Sequence, residues 1–314
     1  MTSLLGVSHR PPGFDLPAGA CDCHTHVFGD PALYPYAAGR QYTPGLATVD
    51  HLADHQRTLG LQRVVVVQPS PYGSDNRCTV DALRMLGAHR ARGVAVIDDG
   101  TTDDELALMH AAGMRGVRVN LETHGIGDAA EARRQLLRAS DRVALLGWHL
   151  QLYTRPAVLA ALAPTIRDLP NDVVLDHFGG IRAESGIDQP QLDPLRDLLA
   201  GGRLWIKLSA PQRIAATPDD AATAALARAL VAARPDRMLW GSDWPHPGAH
   251  PGRPRDPAVV EPFHPIDDGH ALARLRRWTA GDDGASDADT DAAGNARLRA
   301  ILVDNPARLY DFAS

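Results

Sequence analysis

The chain has 314 residues, 44% of them hydrophobic, and a formal net charge of −6. That is ample material for one large core or two modest ones, and with no basic block to follow a phosphate backbone it argues against a nucleic-acid partner. No apolar run approaches the ~18 residues that cross a bilayer, the opening Met1-Thr-Ser-Leu-Leu-Gly6 lacks a signal-peptide pattern, and three cysteines are too few for a disulfide scaffold, so no membrane association and a cytoplasmic location are expected.

Residues 1–20, rich in proline and glycine, read as an irregular arm. Strand-then-helix units follow. Strands are predicted at 20–26, 62–68, 93–98, 116–120, 143–149, 172–177, 203–208 and 237–242. Helices are predicted between them at 49–59, 79–90, 103–112, 128–140, 155–167, 191–201 and 217–233, with two more at 270–279 and 293–303. Such alternation means parallel strands joined by crossover helices. Eight repeats in this length predict an α/β fold, a single TIM (β/α)8 barrel spanning 1–314, rather than a doubly wound sheet. Two stretches interrupt the rhythm. Residues 245–269 have no helical period and read as a long active-site loop after the eighth strand. Residues 281–291 are acidic and small but lack the glycine and terminal glutamate of an EF-hand, so they read as a solvated surface loop.

The loops at the carboxyl ends of barrel strands converge on the active site, and the predicted strands repeatedly deliver polar residues there. His24 and His26 end the first, Arg118 and Asn120 the fourth, His149 the fifth, His177 the sixth, Lys207 and Ser209 the seventh, and Asp243 the eighth. Strand side chains alternate, so His24 and His26 are expected on one face about 7 Å apart. Every buried polar group needs a partner, and so many arriving in register form the pattern of a catalytic rim. A guanidinium in an apolar strand survives only when paired. Arg118, and Arg213 just past the seventh strand, are therefore candidates for binding a substrate carboxylate, with structural salt bridges as the alternative. Tyr42, Asn76 and Tyr153 are polar loop residues within reach of the same bowl, ordinary loop packing being their alternative.

The motifs Asp22-Cys-His-Thr-His26, Gly116-Val-Arg-Val-Asn120, Leu175-Asp-His177, Lys207-Leu-Ser209, Trp240-Gly-Ser-Asp-Trp-Pro-His-Pro247 and Asn305-Pro-Ala-Arg-Leu-Tyr310 resemble those of the amidohydrolase superfamily, in its amidohydrolase-2 branch, over about residues 18–313. Arg40-Gln-Tyr-Thr-Pro44, Pro69-Ser-Pro-Tyr-Gly-Ser-Asp-Asn76 and Gly147-Trp-His-Leu-Gln-Leu-Tyr153 are most similar to lactonases of 2-pyrone-4,6-dicarboxylate and related sugar-acid or muconolactone substrates. The resemblance implies a hydrolase of a small anionic lactone. His24, His26 and His177 would surround the carbonyl and Asp243 would take a proton from water. Tyr42, Arg118, Tyr153 and Arg213 would hold the ring and its carboxylate, with Asn76 a further substrate-binding candidate from its loop. One departure is His124, at the place where the pyrone-dicarboxylate enzymes carry a further arginine. It points away from a dicarboxylate pyrone and towards a mono-carboxylated, sulfonated or sugar-acid lactone.

Lactone hydrolysis needs a base for water and positive charge or donors near the carbonyl oxygen. Asp243 meets the first need, and the imidazoles and guanidinium groups meet the second. No cofactor is favoured. The alternative is one zinc or manganese ion on His24, His26, His149 and Asp243, with His177 outside it. Arg118, where a lysine or glutamate would bridge two ions, argues against a pair. A metal-dependent decarboxylase of an aromatic or unsaturated acid and a non-enzymatic acid-binding barrel are the competing readings. Oligomeric state is not encoded in any of these features.

Overall fold

The computed structural model describes residues 5–250, 252, 254–280 and 292–312. The acidic stretch expected at 281–291 as a surface loop lies outside the described residues. The strands are β1 Cys21–Thr25, β2 Thr43–Pro44, β3 Arg63–Val67, β4 Ala91–Ala95, β5 Met114–Asn120, β6 His149–Tyr153, β7 Val173–Leu175, β8 Leu204–Ser209, β9 Met238–Gly241 and β10 Val260–Glu261. Eight of them form a parallel sheet in the order β1-β3-β4-β5-β6-β7-β8-β9, while β2 and β10 pair separately. Helices α1 Val49–Leu59, α2 Arg77–Leu86, α3 Asp103–Ala111, α4 Ala129–Val143, α5 Pro156–Asp168, α6 Asp193–Ala200, α7 Ala221–Ala233, α8 Asp268–Thr279, α9 Ala292–Arg299 and α10 Asn305–Tyr310 complete the described elements. None is long and apolar enough to cross a membrane.

Local chemistry sets the element boundaries. The Thr48 hydroxyl accepts from the His51 amide and the His51 ring accepts from the Thr48 amide, a reciprocal cap that starts α1; Gly60, in the left-handed region at φ 78°, ends it. Thr102 and Glu105 start α3 in the same way. The barrel closes between its first and last strands through Asp243 N–H to His24 O (2.9 Å) and His26 N–H to Trp244 O (2.8 Å). The Asp22 carboxylate reinforces this seam by accepting from the amides of His24 (3.1 Å) and Ser242 (3.0 Å). Gly241 is required there, because a Cβ would lie 2.6 Å from the His24 Cβ. A large apolar layer lies between sheet and helices. The amino end of the barrel interior holds a smaller cluster of Cys21, Cys23, Val65, Val94, Val174, Trp205 and Leu239, stoppered by Tyr310 and Phe312.

The strand expected at 143–149 is corrected: α4 continues to Val143, a single 3-10 turn follows, and β6 begins only at His149. Leu145 in that apolar run is fully exposed, and Gly147 turns the chain at φ 67°. The strand itself, His-Leu-Gln-Leu-Tyr, lacks a continuous apolar run because its inward positions are polar. The loop expected at 245–269 is present but shorter, with β10 inside it and α8 starting at Asp268.

Candidate active site

The site is assembled from the last residues of β1, β5, β6, β7, β8 and β9 and the turns beyond them. On β1 the pairing register with β3 shifts between Asp22 and Thr25. Cys21 and Cys23 therefore pack inside the barrel while His24, just past the shift, also faces inward, which simple alternation forbids. The His24 and His26 rings meet edge to face at 5.0 Å, and His24 lies 4.8 Å from the ring of His177.

One oxygen gathers these rings. Asp243 Oδ1 lies 3.6 Å from His24 Nε2, 3.5 Å from His26 Nε2 and 4.0 Å from His177 Nε2. The other oxygen, Oδ2, accepts from Arg213 Nε (3.1 Å) and Nη2 (2.7 Å). Burial alone would raise the Asp243 pKa, but Arg213 and the neighbouring imidazoles overcome it and hold the carboxyl well below the usual range. Asp243 occupies the left-handed region at φ 68°, as does His177 at φ 48°. Both are strained backbone positions at a functional rim.

The opposite ring nitrogens fix the tautomers. His26 Nδ1 is 2.8 Å from Val67 O, an acceptor only, so Nδ1 carries the proton. His24 Nδ1 faces the Asp176 carboxylate at 3.2 Å and does the same. His177 Nδ1 contacts Ser209 Oγ at 2.9 Å. In the neutral rings, the Nε2 lone pairs of His24 and His26 are thus aimed at a carboxylate oxygen. Burial lowers the pKa of His24 well below its ordinary value and that of His177 to about 3. His24 Nε2 and Asp243 Oδ1 are buried without a hydrogen-bond partner among the described residues.

This donor set fits one divalent cation: His24, His177 and Asp243 offer ligand atoms within 4.8 Å of one another, and His26 adds a fourth. It does not fit two. Arg118 and Lys207 bring positive charge where a second ion would need ligands. His9, His55 and Asp268 form another buried group of metal-ligating types, beneath the turn after β9. There Asp268 Oδ2 is bonded to His246 Nε2 at 2.9 Å, and the Asp268 amide donates to His9 Nδ1 at 3.1 Å.

The other expected residues divide. Tyr42, Arg118, Tyr153 and Arg213 line one pocket with His26, His177 and Asp243. Tyr42 is buried there, which pushes its phenol up to about 12. Arg118 Nε donates to Asp176 Oδ2 at 3.1 Å and its guanidinium lies 5.5 Å over Tyr153. Asn76 is not in this pocket. Its amide is spent on backbone, donating to Ser74 O and Val96 O and accepting from Val96 N, so it braces two loops. His149 is also elsewhere. As the first residue of β6 it lies four residues, about 13 Å, before Tyr153, edge-on to Tyr310 at 5.1 Å at the closed end of the barrel. The structure does not bring it to Asp243. His124 lines an adjoining groove.

Two residues with no earlier assignment matter. Asp176, fully buried, is bound by His24, by Arg118 and, at 3.7 Å, by Lys207 Nζ. Burial would raise its pKa, but these three cations or donors hold it well below the carboxylate range. Its signal was an acid directly before His177 in an apolar strand. Arg255 lines the pocket from the loop after β9, and nothing in its irregular sequence surroundings marks it.

A family model described as amidohydrolase matches residues 21–312. A 2-pyrone-4,6-dicarboxylate hydrolase of Comamonas testosteroni is 35% identical over 310 residues, covering 95% of this chain and 92% of that protein. A 4-sulfomuconolactone hydrolase of Rhizobium radiobacter is 35% identical over 309 residues, covering 96% and 92%. The apo crystal structure of an Agrobacterium tumefaciens protein superposes with a TM-score of 0.76 at 25% identity, covering 97% of this chain and 99% of that one.

Proposed function

This chain belongs to the amidohydrolase family, and from that membership we propose that it hydrolyses a small anionic lactone. The observation that carries the reading is the convergence of Asp243 Oδ1 with three imidazole Nε2 atoms at 3.5–4.0 Å, in a pocket walled by arginine and tyrosine. Arg213 occupies Asp243 Oδ2, so Oδ1 alone takes the proton of the attacking water. His177, whose Nδ1 accepts from the Ser209 hydroxyl, presents Nε2–H to the lactone carbonyl as charge develops on its oxygen, while the Nε2 lone pairs of His24 and His26 are left for a cation. Asp176 keeps the His24 ring oriented through Nδ1, and Ser209 does this for His177. Arg118 and Tyr153 lie together on the wall and receive the substrate's acid group. When bound, one zinc or manganese ion on His24, His26, His177 and Asp243 would supply Lewis-acid polarisation and acidify water.

The test is an ultraviolet ring-opening assay over a panel of carboxylated and sulfonated lactones, with metal content measured before and after chelation. Asp243→Asn should lose about 10²-fold or more in kcat/KM, because an amide accepts no proton. Turnover retained without zinc or manganese assigns water activation to Asp243 alone, whereas turnover tracking one ion per chain assigns it to the ion as well. Full activity in Asp243→Asn, or carbon dioxide release from an aromatic acid without ring opening, would overturn the reading.

A further inference from the structure

Of the three arginines in the pocket, Arg213 is committed to Asp243 and to Pro247 O, while Arg118 gives Nε to Asp176 from the β5 wall. The third, Arg255, lines the pocket from the loop after β9. Its Nη2 donates to Glu261 Oε1 at 3.0 Å, and its guanidinium is stacked 4.4 Å over the Tyr42 ring. Its Nε–H is buried and has no acceptor among the described residues. A buried guanidinium N–H without an acceptor, on a residue that lines a polar pocket, is a costly arrangement unless a ligand accepts from it.

Arg255 is not carried on a loose segment. Glu261 lies in β10, paired in parallel with β2, and Arg40 and Thr43 both donate to Pro257 O. The segment that presents Arg255 is thereby tied to the segment that presents Tyr42. Arg118, Arg213 and Arg255 all line the same pocket as Tyr42. From the β5 loop, Thr123 rather than His124 lines this pocket.

We propose that Arg255 is a specificity-determining residue that binds a second anionic group, carboxylate or sulfonate, on a lactone whose first anionic group is held by Arg118. The inference rests on the lactone reading and deepens it: the preferred ring carries two anionic groups. It reverses the expectation drawn from His124, because the second positive charge comes from the loop after the last strand.

The experiment compares kcat/KM for 2-pyrone-4,6-dicarboxylate against 2-pyrone-6-carboxylate, and for a sulfonated against an unsulfonated muconolactone, in wild type, Arg255→Met and Arg255→Lys. Wild type should favour the doubly charged member of at least one pair; the pair in which it does so identifies the second group as carboxylate or sulfonate. Arg255→Met should cut that preference about 30-fold through KM, with less than threefold loss on the singly charged ring, and Arg255→Lys should restore part of it. Equal losses on both members would show that Arg255 only braces the loop, and no loss on either would show that it does not touch the second group; either overturns the proposal. Calorimetric binding of pyridine-2,4-dicarboxylate against pyridine-2-carboxylate separates this result from the reaction itself. A wild-type preference for the dicarboxylate that Arg255→Met abolishes upholds the subsite even if no lactone is opened, in which case the hydrolase reading fails alone. Should the methionine variant not fold, Arg255→Lys, which keeps the charge but removes Nε, carries the same comparison.

Discussion

The two oxygens of Asp243 have different partners, and this separates two arginines that look equivalent in the sequence. Arg213 holds Oδ2 with two nitrogens and so is the cation partner of Asp243. Arg213→Met leaves a buried carboxylate without its cation, at a cost of about 3–5 kcal/mol. Charged and neutral lactones should lose kcat/KM alike, and chemical denaturation together with that substrate pair checks both points. Arg118 differs: Asp176 retains His24 and Lys207 when it is removed. Arg118→Met should therefore weaken capture of a charged lactone by roughly 2 kcal/mol more than of a neutral one. A difference in the opposite direction would exchange their roles. His24, His26, His177 and Asp243 were legible because each is a lone polar residue closing an apolar run. Asp176 was visible but unassigned, since its importance lies in partners 58 and 152 positions upstream and 31 downstream: Arg118, His24 and Lys207.

At the scale of elements, the turn after β9 does most to place Asp243. Residues Asp243 and His246 both sit at φ 68°, and His246 N–H closes the turn onto Asp243 O at 2.7 Å. Conformations of this kind persist only where surroundings over-determine them. Here the buried Asp268, at the start of α8, grips His246 Nε2 at 2.9 Å and lies 3.5 Å from His55 Nε2 on α1. Asp268→Asn should lower stability by about 1.5–3 kcal/mol and, by letting the turn relax, reduce kcat about tenfold with little change in KM. Thermal unfolding and steady-state kinetics test this together; an unchanged kcat in a destabilised protein would confine Asp268 to packing. The long loop was legible as a loop, but its anchorage through β10 to β2 was not, because a two-residue strand leaves no period to read.

For the whole molecule, several imidazoles are kept neutral by burial, and this makes the fold sensitive to acid. His55 and His149, away from the pocket, are both pushed down to about 3 by desolvation. Between about pH 6.5 and pH 3 the unfolded chain binds a proton at each of these sites that the folded chain refuses, so stability falls as pH falls, by about 1.4 kcal/mol per pH unit for each histidine. Asp22, raised by burial to about 7, works in the opposite sense as a single group. His149→Asn should remove about one proton's share of the slope in urea-derived stability between pH 6.5 and 5.5, while leaving kcat/KM within about twofold. An unchanged slope would mean that His149 is protonated in the fold, and a large loss of activity would return it to the site.

Sequence alone determined the barrel and the rim. Alternating strand and helix periods admit few architectures, and a polar residue ending an apolar strand has one place to go in a parallel barrel. Tertiary structure alone decided where His149 and Asn76 lie, that Arg213 pairs with Asp243, that Asp176 joins three partners, and that Arg255 reaches the pocket. The reason is physical: periodicity reports which face of one element is buried, whereas a hydrogen bond between residues far apart in the chain exists only once the barrel has closed. The apolar run from Val143 to Leu146 shows the same limit, because helix end and buried strand satisfy the same local pattern until a glycine turn and an exposed Leu145 distinguish them.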